Sequence, residues 1–181
     1  MYSRIIKQFT LTALAAFILA GSVFAQDVEE LSSPAVPCAE IVVPEGYKLK
    51  KIVYAIGVQI YKWNGSAWAF VAPEANLYAD DRFRFKIGTH YAGPTWEANN
   101  GGKVIAARVN GCSPDPESIA WLLLESVDND GPGVFGKTSY IQRINTVSGL
   151  APKRAGTFVG EEVRMPYTTD YLFYTEKRGR H

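Results

Sequence analysis

Two runs dense in β-branched and aromatic residues, KLKKIVYAIGVQIYKW (48–63) and SAWAFVA (66–72), meet at Asn64-Gly65. An Asn-Gly pair between such runs specifies a β-hairpin, because both central residues of the tight turn need φ > 0. A two-residue turn at this pair places Tyr61 opposite Trp68 and Gln59 opposite Phe70, on the same side as Trp63. Val58, Ile60, Ala69 and Val71 then fall on the other side. Both faces are largely apolar, so the hairpin belongs in the middle of a β-structure rather than at its rim. Gly57 reads as a bulge within the first run. Asn64-Gly65-Ser66 is also a glycosylation sequon, although the turn alone accounts for it.

The rest of the chain continues in the same style. RFRFKI (82–87) alternates Phe83, Phe85 and Ile87 with cations, the pattern of a half-buried strand. KVIAARV, IAWLLLESV, KTSYIQRINTV, EEVRMPY and DYLFYTE are further strand candidates, separated by Gly, Pro and Asn/Asp breaks. IAWLLLESV is apolar throughout, as a strand buried on both faces would be. Helical periodicity is scarcely present, and no internal repeat occurs. About nine or ten short, mostly antiparallel strands predict a single all-β domain, a β-sandwich or a partly closed barrel.

At the N-terminus Arg4 and Lys7 precede an apolar run from Leu11 to about Ala20, and Val23 and Ala25 flank a cleavage point before Gln26. This is the layout of a secretory signal peptide (1–25), too short in its apolar part to span a bilayer as a retained anchor. A polar arm (26–37), the β-domain (38–176) and a basic tail (177–181) follow. Arg4 and Lys7 account for two of the 19 basic residues, leaving 17 against 18 acidic ones. No basic stripe suited to nucleic acid is present. The two cysteines, Cys38 and Cys112, lack any zinc-ligand spacing, and in an oxidising compartment an even pair suggests one disulfide. The expected setting is secreted or periplasmic.

Three blocks, VQIYKW…WAFVAPEANL, IGTHYAGPTWEANNGGKV and WLLLESV…GVFGKTSYIQRINTVSGLAP with a terminal PYTTDYLFY, resemble the secreted family known as domain of unknown function 3455. The likeness runs from about Pro44 to Tyr174. It implies one exported all-β domain and supplies no activity. In the family's pattern a cysteine often stands where this chain has Trp63, with another just after LAP, where this chain has KRAGTF. The resemblance therefore implies that Cys38–Cys112 substitutes for a disulfide the family otherwise carries.

Several motifs invite a chemical reading. Gly131-Pro132-Gly133-Val134-Phe135-Gly136 matches the dinucleotide fingerprint, but the residues after it have strand spacing, Pro132 removes a backbone donor, and no acid follows about 20 residues on. It is read as a glycine-rich loop, and no cofactor is expected. Asp128-Asn129-Asp130-Gly131 starts like a calcium loop, then has Pro132 and Ser139 where ligands are required, so a tight turn is expected and no metal. His90 is the one histidine within the domain, without a nucleophile elbow or a paired histidine for a metal. Glu97, Asp115, Glu125 and Asp170 offer carboxylates for a glycosidase, unpaired by spacing.

The ligand-binding candidates are His90, Tyr91, Trp96 and Glu97 in GTHYAGPTWEANNG (88–101), joined by Gln142, Arg143 and Tyr167. The aromatics suit stacking on a flat ligand or sugar. Arg143 suits an anion, or else an internal pair with Asp170 or Glu97. The expected function is a non-catalytic binding module for a small molecule, glycan or envelope component. The alternatives are a hydrolase or lyase on extracellular polymers using His90 with Glu97 or Asp170, and a structural or self-associating protein. No nucleic-acid partner and no membrane span after signal cleavage are expected.

Overall fold

The computed structural model describes residues 31–177. The expected signal peptide (1–25), the first five residues of the expected polar arm and the last four of the expected basic tail lie outside them. Eight strands follow one another: β1 (Tyr47–Trp63), β2 (Trp68–Tyr78), β3 (Lys86–Tyr91), β4 (Thr95–Ala98), β5 (Lys103–Cys112), β6 (Trp121–Asp130), β7 (Tyr140–Ser148) and β8 (Glu162–Glu176). Each pairs antiparallel with the next, and β8 pairs back onto β1, so one sheet closes into an up-and-down barrel. Closure removes the sheet edges that a sandwich would have to protect. Among the described residues the only helical pieces are two single 3-10 turns, Ala39–Ile41 and Phe135–Lys137.

The strands depart from the sequence pattern at two places, each for a physical reason. EEVRMPY and DYLFYTE are one strand, β8. Pro166 is tolerated there because it has a neighbour on β1, Val58, but none on β7, where the pairing begins beside it at Tyr167–Ser148. RFRFKI is a strand only from Lys86. The Asp80 carboxylate accepts the backbone N–H groups of Arg82, Arg84 and Phe85, and Nε of Arg84, folding 80–85 into a turn with Phe83 at φ +53°. Such local side-chain bonds compete with a sheet ladder, and here they prevail.

The first hairpin forms, with its turn one residue later than Asn64-Gly65. Gly65 alone carries φ > 0, and the Asn64 side chain accepts the N–H groups of Ser66 and Ala67. Trp63 therefore faces Trp68, and Tyr61 faces Phe70, with ring centroids 5.4 Å and 5.8 Å apart. The bulge falls between Ile60 and Tyr61 rather than at Gly57. Gly57 instead marks a close approach of β2, since a Cβ there would sit 2.2 Å from the Glu74 carbonyl oxygen. Asp128–Asp130 also extend β6 instead of turning, and the glycine-rich 131–136 segment is the loop from β6 to β7.

Strand alternation divides the apolar residues into two cores. The inner one fills the barrel with Val53, Ala55, Trp96, Tyr171 and Phe173 among others. The outer one lies where β6, β7 and β8 turn Leu123, Ile144, Leu172 and Tyr174 outward, and Ile41 and Leu49 cover them. The Cys38–Cys112 disulfide pins this covering segment to the end of β5. Removing it by Cys112→Ser is expected to lower the unfolding free energy by about 4 kcal/mol, from the loop it closes. Chemical denaturation checks this, and a loss under about 1 kcal/mol would assign the clamp to the outer core alone. Gly57→Ala is expected to cost about 1–3 kcal/mol by forcing β1 and β2 apart, measurable as a shifted denaturation midpoint.

Candidate functional site

Connections in an up-and-down barrel alternate between its two ends. The loops at 64–67, 92–94, 113–120 and 149–161 therefore gather at one end. They are tied together there: Ile119 N donates to Ser148 O, Tyr61 Oη to Gly149 O, and Trp68 Nε1 to Arg154 O. The opposite end is plugged by Phe135, whose ring lies 4.5 Å from that of Phe173. Between plug and loops the interior is incompletely filled, leaving a cavity of ≈ 370 Å³. Its walls are mainly apolar and aromatic, with Tyr61, Phe70, Trp96, Leu124 and Tyr171 among them.

His90 and Trp96 face each other across the β3–β4 pair and enter this cavity together. Their rings stack at 4.1 Å, with Tyr171 edge-on to both. His90 is 3 % exposed and burial pushes its pKa down to about 3. The ring is therefore neutral at pH 7, and Nδ1–H donates to the Thr95 carbonyl at 2.8 Å. Nε2 is left as an acceptor.

Two buried donors have no hydrogen-bond partner: Trp96 Nε1 and Gln59 Nε2, on residues 1 % and 3 % exposed. Both residues line the cavity. The Gln59 side chain lies near enough to the Tyr167 phenol to favour its ionised form, yet its Nε2 makes no hydrogen bond of ordinary length. Buried polar groups are satisfied in the great majority of cases, so two orphans on one cavity wall are exceptional. Gln59 was legible only as a face-sharing partner of aromatics; its polarity in an otherwise apolar row was the available signal.

Arg143 is the third polar element. It faces Leu122 on β6 and Tyr171 on β8, and its Nε and Nη2 donate to the Ala120 carbonyl at 3.0 and 2.7 Å. Neither expected carboxylate partner reaches it. Asp170 accepts from Asn145 Nδ2, and Glu97 accepts from Tyr91 Oη. The charge of Arg143 acts on Tyr61, His90, Tyr167 and Tyr171, which places it amid their polar tips.

The remaining candidates are dispersed. Gln142, next to Arg143, turns outward into the outer core, donating to Ile41 O and accepting from Tyr174 Oη. Tyr91 and Glu97 lie on the opposite face of their hairpin from His90 and Trp96. Tyr167 is buried inside, its hydroxyl 3.5 Å from that of Tyr171. Asp170 faces outward beside Asn145. The carboxylates considered for a glycosidase are engaged separately: Asp115 with Glu117 N and Ser118, Glu125 with Tyr140, and the other two as above. His90, Glu97 and Asp170 thus do not converge, and among the described residues no group of His, Cys, Asp and Glu could hold a metal.

The neutral His90 makes stability sensitive to acid. Its folded pKa is depressed, so the unfolded chain gains a proton below about pH 6.5 that the folded chain refuses until about pH 3. Stability is retained above that window and falls within it by up to about 1.4 kcal/mol per pH unit. His90→Gln is expected to flatten the slope by that amount between pH 4 and 6, as read by urea denaturation against pH. An unchanged slope would show that the histidine is not held neutral.

No curated protein and no solved structure matches the chain. One family profile does, over residues 44–175, and the residues that it covers include every wall of the cavity. The chain belongs to the family described as protein of unknown function DUF3455.

Proposed function

We propose that the protein is a non-catalytic binding module that takes a small, largely apolar molecule into the end of its barrel. The observation that carries this reading is the pair of orphaned donors, Gln59 Nε2 and Trp96 Nε1, on a cavity whose other walls are aromatic and aliphatic. An eight-stranded barrel is just wide enough to be filled by side chains or to hold one small ligand. Here the interior side chains stop short, as they do in a pocket of about 300–1,000 Å³ with a few converging polar groups. Catalysis has no comparable support, because His90 spends Nδ1–H on the Thr95 carbonyl and, among the described residues, is hydrogen-bonded to no acid or nucleophile.

The module is exported in this reading. The basic and apolar residues of 1–25 supply the signal, and the disulfide suits an oxidising compartment. No helix among the described residues is long and apolar enough to cross a membrane.

Filling the cavity tests the proposal. A thermal-shift screen of small aromatic and alicyclic compounds is expected to find ligands that raise Tm, and Ala120→Phe is expected to abolish the rise while still unfolding cooperatively. At a hundredfold excess over Kd the stabilisation should be about 2.7 kcal/mol. Failure of every compound to shift the wild type, or full retention of the shift in Ala120→Phe, would overturn the reading.

A further inference from the structure

We infer that the cavity selects an organic anion, an aromatic carboxylate of one or two rings whose charge is held by Arg143. This rests on the binding reading above and adds the class of ligand. Among the described residues two arginines, Arg108 and Arg143, line the cavity, and no aspartate or glutamate does. Among the described residues no carboxylate forms an ion pair with Arg143; its protein partners are the Ala120 carbonyl and the Tyr171 hydroxyl, both uncharged at neutral pH. A guanidinium set among apolar walls with only neutral acceptors is costly to hold there unless an anion completes it. The planar fork retains N–H groups beyond the two given to Ala120, the geometry that a carboxylate accepts.

The flatness of the ligand follows from the walls. Trp96 and His90 lie parallel, with Tyr171 edge-on, and Phe70 and Tyr61 stand at the mouth. Pro73 and Pro94 add two further rigid faces. Rings of this kind hold another ring by stacked or edge contacts with little loss of side-chain freedom. Gln59 Nε2 and Trp96 Nε1 then donate to acceptor atoms of the acid or of a ring substituent, which satisfies both orphans.

Calorimetric titration with 2-naphthoate, its neutral isostere 2-naphthamide and decanoate separates the elements of the inference. The expected result is that 2-naphthoate binds at least about tenfold more tightly than 2-naphthamide, the worth of a charge-assisted hydrogen bond. Decanoate should bind more weakly than 2-naphthoate by a similar factor. Arg143→Gln should erase the preference for the acid over the amide, and Arg143→Lys should keep part of it. Because the acid–amide comparison is made on the wild type, it stands even if Arg143→Gln fails to fold. Equal binding of acid and amide would overturn the anion while leaving the binding module intact, and decanoate matching 2-naphthoate would overturn the aromatic body. No binding of any of the three, in a protein whose broader screen finds neutral ligands, would likewise sink the inference alone.

Discussion

A sheet of eight strands that joins its last strand to its first must send every second side chain into a confined interior. Those side chains decide whether the inside is solid or hollow. At one end the decision is for filling, with Phe135, Phe173, Val104 and Ile141 buried together. At the other, β1 contributes Gln59 and Tyr61 to the interior, and β7 contributes Arg143. None of these can collapse into an apolar core without leaving polar atoms stranded. The hollow end is thus written by the polarity of a few inward positions, and its aromatic lining keeps it from being an aqueous channel.

Much of the architecture was legible because strand-forming residues, turn residues and period-two alternation agree over most of the chain. The all-β class, the first hairpin and the loop character of GPGVFG all rest on such local agreement, whereas the expected double burial fails where Phe70 and Val71 on β2 and Val127 on β6 stand exposed. What was not legible depended on competition between local and distant bonds. Asp80 folds RFRFKI by gathering three backbone N–H groups, and nothing in the alternation of Phe and Arg announces it. The Asn64 side chain moves the turn onto Gly65, which shifts the pairing opposite Trp68 from Tyr61 to Trp63.

The site shows the same division. His90 and Trp96 were identifiable, since a histidine and a tryptophan near a Gly-Pro corner are few in this chain. Gln142 and Arg143 were grouped with them by adjacency, yet neighbours on a strand point to opposite faces. One enters the cavity and the other closes the outer core. Tyr91 and Glu97 were lost to the site by that same rule. The closure of a ring decides which face is inside, and closure depends on β8 meeting β1 through partners 100 or more residues apart in the chain.

That meeting has a consequence for how the molecule comes into being. Every neighbouring pair but one is joined by a single loop of at most 13 residues, so hairpins can form as soon as their residues are available. The β1–β8 ladder is the exception and also the longest, running from Tyr47–Glu176 to Lys62–Glu162. Until β8 has emerged, β1 and β7 present unpaired backbone along their free edges, and Leu172 and Tyr174 are missing from beneath Ile41 and Leu49. A growing chain therefore stays an open, association-prone sheet until its last strand arrives, and then closes in one long-range step.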